Sequence, residues 1–428
     1  MPTQLRIKLA AMMFFQYAVW GAWMPILSAT LNDRHIPPSS IGEIYGAFWL
    51  GCLISPFLGG QLADRKLPSQ IFLALSHLLG AIAAIAVAFQ KTPEGLYIGM
   101  LIWSLIYAPG MGITNSITFT HVEKYVTDEK DREREFSLLR TAGTIGWIVA
   151  AFLLLGFQLY THLNAKNSSQ PIPEMLITGM LGFVMVFVSL ALPNTPPVND
   201  KRSDPLAFRK AFRLFKTVPG FAVFMGISFF AATEFMFFYS LSAQFLESLK
   251  IPHILIPVTK SISQVAEVGA LAVLLPYWLP RKGMRWCLLV GSFAWPLRYL
   301  IFAMQKPVWL VVLSLGLHGF GYAFVMVVQQ LYVDRVSPKD IRASAQSLLT
   351  VVTLGLGNVI GSYLSGWVQQ YYSHQAVINH TLVTVTNWPP VFVLPAVTTL
   401  LAAIAYMFTF RDKDVAMASA RETEAALV

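Results

Sequence analysis

The stretch "LLRTAGTIGWIVAAFLLLG" (138–156) is apolar for long enough to cross a bilayer, yet a guanidinium stands near its start. A helix through a hydrocarbon core about 30 Å thick needs about 20 largely apolar residues. A charge near its centre costs about 2.5–3.5 kcal/mol on insertion scales. Arg140 is therefore a functional-site candidate in need of a partner. Snorkelling to the nearby interface is its bland alternative, but Thr144 and Trp147 continue the same helical stripe at i+4 and i+7.

Working outward, similar apolar runs recur along the whole chain. It has 428 residues, of which 55% are hydrophobic and 12% charged, with a mean hydropathy of +0.58. A soluble globular protein carries about 25% charged residues, so these values place the chain in a membrane. About twelve runs have the length of a spanning helix, near 7–29, 41–62, 70–90, 96–119, 138–160, 174–193, 219–246, 255–279, 286–304, 308–332, 343–367 and 389–410. The first run is too long for a signal peptide, lacks a small-residue cleavage site and leads into a second run, so it is kept as a span.

The net charge of +9 does not point to nucleic acid once the basic residues are placed on the spans. Most lie on the termini and the even-numbered connections, among them Arg6, Lys8, Arg65, Lys66, Arg132, Lys210, Arg213, Arg281, Lys282, Arg335 and Arg411. The opposite loops carry Arg34, Lys91, Lys166, Lys250 and Lys306. By the positive-inside rule both termini are cytoplasmic. Cys52 and Cys287 fall in or beside apolar runs and offer neither a disulfide framework nor a cysteine metal site. No HExxH, GxSxG or Gly-rich phosphate loop is present, so an enzyme is not expected, and no cofactor or metal enters the expectation.

The longest interruption, "NTPPVNDKRSDPLAFRKAFRLFKTVPG" (194–220), divides the chain into halves at 1–193 and 219–410, with a linker at 194–218 and a tail at 411–428. Phe208, Phe212 and Phe215 recur there at helical spacing among Arg and Lys, as in an amphipathic helix on an anionic leaflet. "GGQLADRKLPSQ" (59–70) and "LPYWLPRKGMRW" (275–286) place a basic turn at matching points of the two halves. Parallel six-span halves enclosing a substrate site near the midplane are the architecture of major facilitator transporters. The expected fold is thus an all-α integral membrane protein with twelve transmembrane helices in two pseudo-symmetric halves. "GQLADR" (60–65) resembles that superfamily's loop motif, which implies a conformational latch at Gly60, Asp64 and Arg65.

Several other polar groups fall inside the runs. Lys260, Gln264 and Glu267 share a stripe, Glu234 sits in "AATEFMFFYS" (231–240) with Tyr239 and Gln244 beyond it, Arg298 follows Trp295-Pro296, and His318 precedes Tyr322. "YAPGMGITNS" (107–116) breaks the fourth run around Tyr107 and Asn115, which membrane helices tolerate where they line a cavity. Lys260 is expected to snorkel outward and His318 to be a packing residue. Glu267 and Glu234 are the leading coupling candidates, because approach of a cation or substrate changes whether a buried carboxylate holds its proton. Arg298 and His318 are further coupling candidates, and Arg298 is alternatively the counter-ion of either glutamate. Arg140 is expected to face Gln264 and Glu267 across a central cavity.

"VWGAWMPIL" (19–27), "FSLLRTAGTIGWI" (136–148), "LPNTPP" (192–197), "SISQVAEV" (261–268), "LHGFGYAF" (317–324) and "IRASAQSL" (341–348) resemble the bacterial nucleoside:proton symporter family, nearly end to end. The resemblance implies proton-coupled nucleoside uptake by alternating access across the bacterial inner membrane, by a monomer. It implies substrate contacts at Arg140, Thr144, Trp147, Gln264 and Glu267, to which Tyr239 and Tyr322 are added here. Carboxylate and amide suit ribose hydroxyls, and an aromatic face suits a base, although a sugar or polyol would fit nearly as well. This chain has Met236 and Tyr239 where family members carry amides, and Ala323 where they carry an aspartate. A sugar or polyol carrier, and a non-transporting membrane sensor on the same fold, stand as alternatives.

Overall fold

In the computed structural model the described residues are 1–63, 67–165, 167–196, 207–338, 341–378 and 381–410. The first unit's helices are α1 (Thr3–Gly21), α2 (Leu27–Asp33), α3 (Pro38–Ala63), α4 (Ser69–Ala88), α5 (Pro93–Tyr107), α6 (Pro109–Tyr125), α7 (Glu129–Thr161) and α8 (Pro173–Leu190). After a short 3-10 turn, Ala207–Arg213, come α9 (Leu214–Thr217), α10 (Phe221–Ser248), α11 (Ile256–Gly269), α12 (Leu275–Met304), α13 (Val308–Ser314) and α14 (Gly316–Gly321). The chain closes with α15 (Val328–Val336), α16 (Arg342–Thr350), α17 (Asn358–Tyr371) and α18 (Trp388–Thr409). Among the described residues, nine helical stretches are long and apolar enough to cross a membrane.

Local chemistry explains where the helices depart from the expected runs. The first run does not continue as one helix to residue 29: α1 stops at Gly21, a turn carries residues 22–26, and α2 follows. Pro25 lies in that turn and has no N–H to give a helical hydrogen bond. The eighth and ninth runs fall within one stretch, His253–Met304, long enough for two crossings. Gly283, at φ +82°, breaks it. Only glycine adopts that conformation without steric cost. Between α17 and α18, β1 (Ser373–Ile378) and β2 (Thr381–Thr386) form an antiparallel hairpin with Ser373 opposite Thr386.

The chain forms two compact units, Met1–Arg202 with Tyr239–Ser261, and Ser203–Phe238 with Ile262–Val428. Helix α10 thus contributes its first part to the second unit and its end to the first. In the first unit α1 packs on α7, α4 on α8 and α3 on α5. Small residues permit the first of these contacts: a Cβ on Gly146 would stand 2.1 Å from the Phe14 carbonyl oxygen, and one on Gly143 would stand 2.6 Å from the Tyr17 ring. In lipid, where apolar side chains gain nothing by leaving their surroundings, such close backbone approach holds helices together.

The second unit has its own apolar core, including Phe221, Phe224, Leu288, Phe324, Val328 and Tyr332. The end of the interruption belongs to it, since Ala211, Leu214 and Val218 are buried in this core. Phe212 and Phe215 remain exposed and stack on one another. Among the described residues π-helical segments interrupt the α-geometry here at Ala270–Leu274, Tyr322–Val327 and Val351–Gly357. Such segments are found mostly as local bulges and often at functional sites.

Candidate functional site

In the first unit, the Arg140 stripe meets a row of aromatic rings. The Arg140 guanidinium lies over the Tyr17 ring, 3.8 Å from its centroid. From there the rings run Tyr17 to Trp20 at 6.2 Å, Trp20 to Trp147 at 5.2 Å, and Trp147 to Tyr239 at 6.2 Å. Lys260 closes the row, its Nζ 5.6 Å from the Tyr239 centroid. Because Gly143 and Gly146 draw α7 against α1, Arg140 and Trp147 are held by rings of that neighbour rather than by the interface. A cation over an aromatic face gains about 2 kcal/mol or more when desolvated.

In the second unit the polar groups form two sets. Glu234 accepts a hydrogen bond at Oε1 from the Thr398 hydroxyl, and Tyr299 Oη donates to its backbone oxygen at 2.6 Å. Arg298, 1% exposed, places its guanidinium 4.5 Å from the Phe238 centroid and 4.3 Å from that of Tyr299. Its Nη1 donates to His318 Nδ1 at 2.8 Å. A guanidinium keeps its protons, so Nδ1 is the acceptor and the imidazole is neutral, with its hydrogen on Nε2. The ring also stacks on Phe238 at 3.9 Å. Protonating Nδ1 therefore requires breaking the bond to Arg298.

Gln264 and Glu267 lie on α11, with Gln264 buried and Glu267 half-buried. Their backbone is fixed from α14: Ser263 Oγ donates to the Leu315 carbonyl at 3.0 Å, and a Cβ on Gly319 would stand 2.0 Å from the Ser263 carbonyl oxygen. The π segment Ala270–Leu274 begins three residues past Glu267.

A model of the family described as nucleoside H+ symporter matches residues 1–415. The chain belongs to this family. It is 30% identical to the putative nucleoside transporter YegT of Escherichia coli K12, over 95% of this chain and 94% of that one. It is 27% identical to the nucleoside permease NupG of the same organism, over 98% and 99%, and 27% identical to its xanthosine permease, over 95% and 96%. The crystal structure of nucleoside transporter NupG matches with a TM-score of 0.80 over 95% of this chain and 99% of that one. A D-xylose-proton symporter, 13% identical, shares the fold with a TM-score of 0.72 over 96% and 98%. A member of the nucleoside H+ symporter family, the chain is a multi-pass membrane protein of the major facilitator fold, and its family consists of transporters rather than enzymes.

Of the residues singled out in the sequence, the structure brings Arg140, Trp147, Tyr239 and Lys260 into one row, with Thr144 on the same stretch of α7. Lys260 does not snorkel: it is 3% exposed, its ammonium turned to Tyr239. Gln244, also buried, bonds back to the Ser240 carbonyl. Glu234 is bonded through Thr398, and Arg298 to His318. Tyr322 begins a π segment beside Phe235, the ring centroids 5.9 Å apart. Ala323 is fully buried in the second unit's apolar core, so a carboxylate at residue 323 would need its own partner there, and Met236 is fully buried in α10. Asp64 and Arg65 lie outside the described residues, as do the surroundings of Gly60 within α3. At residue 108, where the chain leaves Tyr107 for Pro109, the backbone stays helical, and the Tyr107 hydroxyl donates to the Gln16 carbonyl at 2.6 Å.

Sequence reading missed Tyr17, Trp20 and Thr398. The first two had a signal, their spacing on the face of α1 beside "VWGAWMPIL". Thr398 had none, being one of several hydroxyls in an apolar helix. Replacing it by valine removes the donor to Glu234 at nearly equal volume. The expected result is a loss of about 1–3 kcal/mol, the cost of leaving a buried polar group unsatisfied, read as a lower unfolding midpoint in detergent.

Proposed function

We propose that this chain is a proton-linked importer of nucleosides in the bacterial inner membrane, acting as a monomer with both termini in the cytoplasm. The halves 1–193 and 219–410 alternate access to a site formed by Arg140, Thr144, Trp147, Tyr239, Gln264, Glu267 and Tyr322. Family membership supports the substrate class and the coupling. The observation that carries the site is the row from Arg140 through Tyr17, Trp20 and Trp147 to Tyr239, an aromatic wall with a cation at its end. A nucleoside offers a base to such a wall and hydroxyls to the amide and carboxylate of Gln264 and Glu267. Glu267, Glu234 and His318 are the groups through which a proton can be taken up and released, and Arg298, which keeps its charge, is the fixed cation beside His318 that takes part in coupling.

The test is uptake of radiolabelled uridine and adenosine into proteoliposomes, with and without an inward proton gradient. Gradient-driven accumulation is expected, and its absence with folded protein overturns the proposal in favour of another solute. In the same assay Trp147→Leu is expected to raise KM. Stacking of a base on an aromatic ring is worth about 1–3 kcal/mol, hence about 5- to 150-fold. An unchanged KM would remove Trp147 from the site.

A further inference from the structure

We propose that Asp33, Glu247 and His253, none of them a residue assigned to transport above, form a binding site for a divalent transition-metal ion of the zinc class. The three come from the end of α2, the end of α10 and the turn before α11, all within the first unit. Their ligand atoms lie within 4.8 Å of one another. His253 Nδ1 is 3.1 Å from Asp33 Oδ2 and 3.6 Å from Glu247 Oε1.

The shorter of these separations is also hydrogen-bond length, and the longer is not. Zinc binds nitrogen and oxygen at about 2.0–2.2 Å in tetrahedral sites, which puts neighbouring ligand atoms about 3.3–3.6 Å apart. The observed distances lie close to that edge, whereas 3.6 Å is too long for an N–H···O bond. His253 Nδ1 is buried and faces both carboxylates, so a single ion placed among the three groups reaches a ligand atom of each.

The outer contacts set the imidazole for the role. Thr30 Oγ1 stands 3.3 Å from His253 Nε2. With Nε2–H donating to that hydroxyl, Nδ1 presents its lone pair toward the carboxylates, as a metal-bound histidine fixed by an outer partner does. Two carboxylates facing Nδ1 favour a cation there, a proton or a metal ion. Glu174 adds a further carboxylate nearby: it is fully buried and acts electrostatically on His253. Arg34, the neighbouring cation, spends its hydrogen bonds on the Ala165 and Pro171 carbonyls. Three ligands leave a tetrahedral ion one position for water. A bound ion would tie the end of α10 to α2, two parts of the first unit far apart in sequence.

The experiment is calorimetric titration of the purified full-length chain in detergent with Zn2+, and with Mg2+ as the comparison ion. The native chain is expected to take up about one equivalent of Zn2+ and none of Mg2+. His253→Ala, Asp33→Asn and Glu247→Gln, each checked for folding by its melting curve, are each expected to bind at least about tenfold more weakly. No saturable binding by the folded native chain overturns the site, leaving a proton as the cation between the carboxylates. Variants that bind like the native chain overturn it as well, since the metal then sits on other histidines. Transport is not the readout, so the outcome is independent of which solute the protein carries.

Discussion

Glu267→Gln is expected to abolish proton-driven accumulation of uridine while leaving the protein folded and still able to exchange substrate. Glutamine keeps the size of the side chain and its ability to hydrogen-bond a ribose hydroxyl, but it cannot take up and release a proton. One proton moving through about 100 mV is worth about 2.3 kcal/mol, which sustains roughly a 50-fold concentration ratio. The variant is expected to equilibrate uridine to a ratio near one. The measurement is counterflow and gradient-driven uptake on the same proteoliposomes. Loss of driven uptake with counterflow retained places the proton on Glu267. Parallel loss of both makes Glu267 a substrate ligand only and moves coupling to Glu234. Full driven uptake in the variant would remove Glu267 from coupling altogether.

The second large effect is expected from a single methyl group. A Cβ on Gly319 would stand 2.0 Å from the Ser263 carbonyl oxygen, 2.5 Å from the Glu267 nitrogen and 3.0 Å from its Cα. These are backbone atoms of a neighbouring helix and cannot rotate away, so Gly319→Ala has to push α14 off α11. Overpacking of this kind costs about 1–3 kcal/mol or more, and here it also displaces the backbone that carries Gln264 and Glu267. A lower unfolding midpoint together with loss of uptake is expected. Gly112→Ala is the control, because nothing lies within 4 Å of its Cβ position, and a helical Gly-to-Ala change is neutral or stabilising. If the two variants melt and transport alike, the close packing of α14 on α11 does not exist in the membrane.

Much of the architecture was legible because a spanning helix is a local object. Its cost or gain in lipid is a sum over about 20 consecutive residues, so apolar runs and the Lys and Arg asymmetry between loops can be read without knowing any contact. The family resemblance followed from local stretches such as "SISQVAEV" for the same reason. Helix periodicity also placed Arg140, Thr144 and Trp147 on one stripe, and Gln264 with Glu267 on another.

The partners were not legible, because they belong to pairs of distant segments. Lys260 reads as a snorkelling lysine from its place near a helix end, and only the return of α10 beside α11 brings the Tyr239 ring over which its ammonium lies. Glu234 looks isolated in an aromatic run until α18 supplies Thr398. His318 acquires a definite tautomer only because Arg298, 20 residues earlier, points at its Nδ1. Asp33, Glu174, Glu247 and His253 carry no shared spacing and meet only through the packing of α2, α8 and the end of α10. The sequence by itself determined which segments are long and apolar enough to enter a membrane and which faces of them carry polar groups, since the cost of burial in lipid is summed residue by residue. Tertiary structure alone decided which charge meets which ring or carboxylate, because glycine contacts such as Gly146 on Phe14 and Gly319 on Ser263 set how closely two backbones approach.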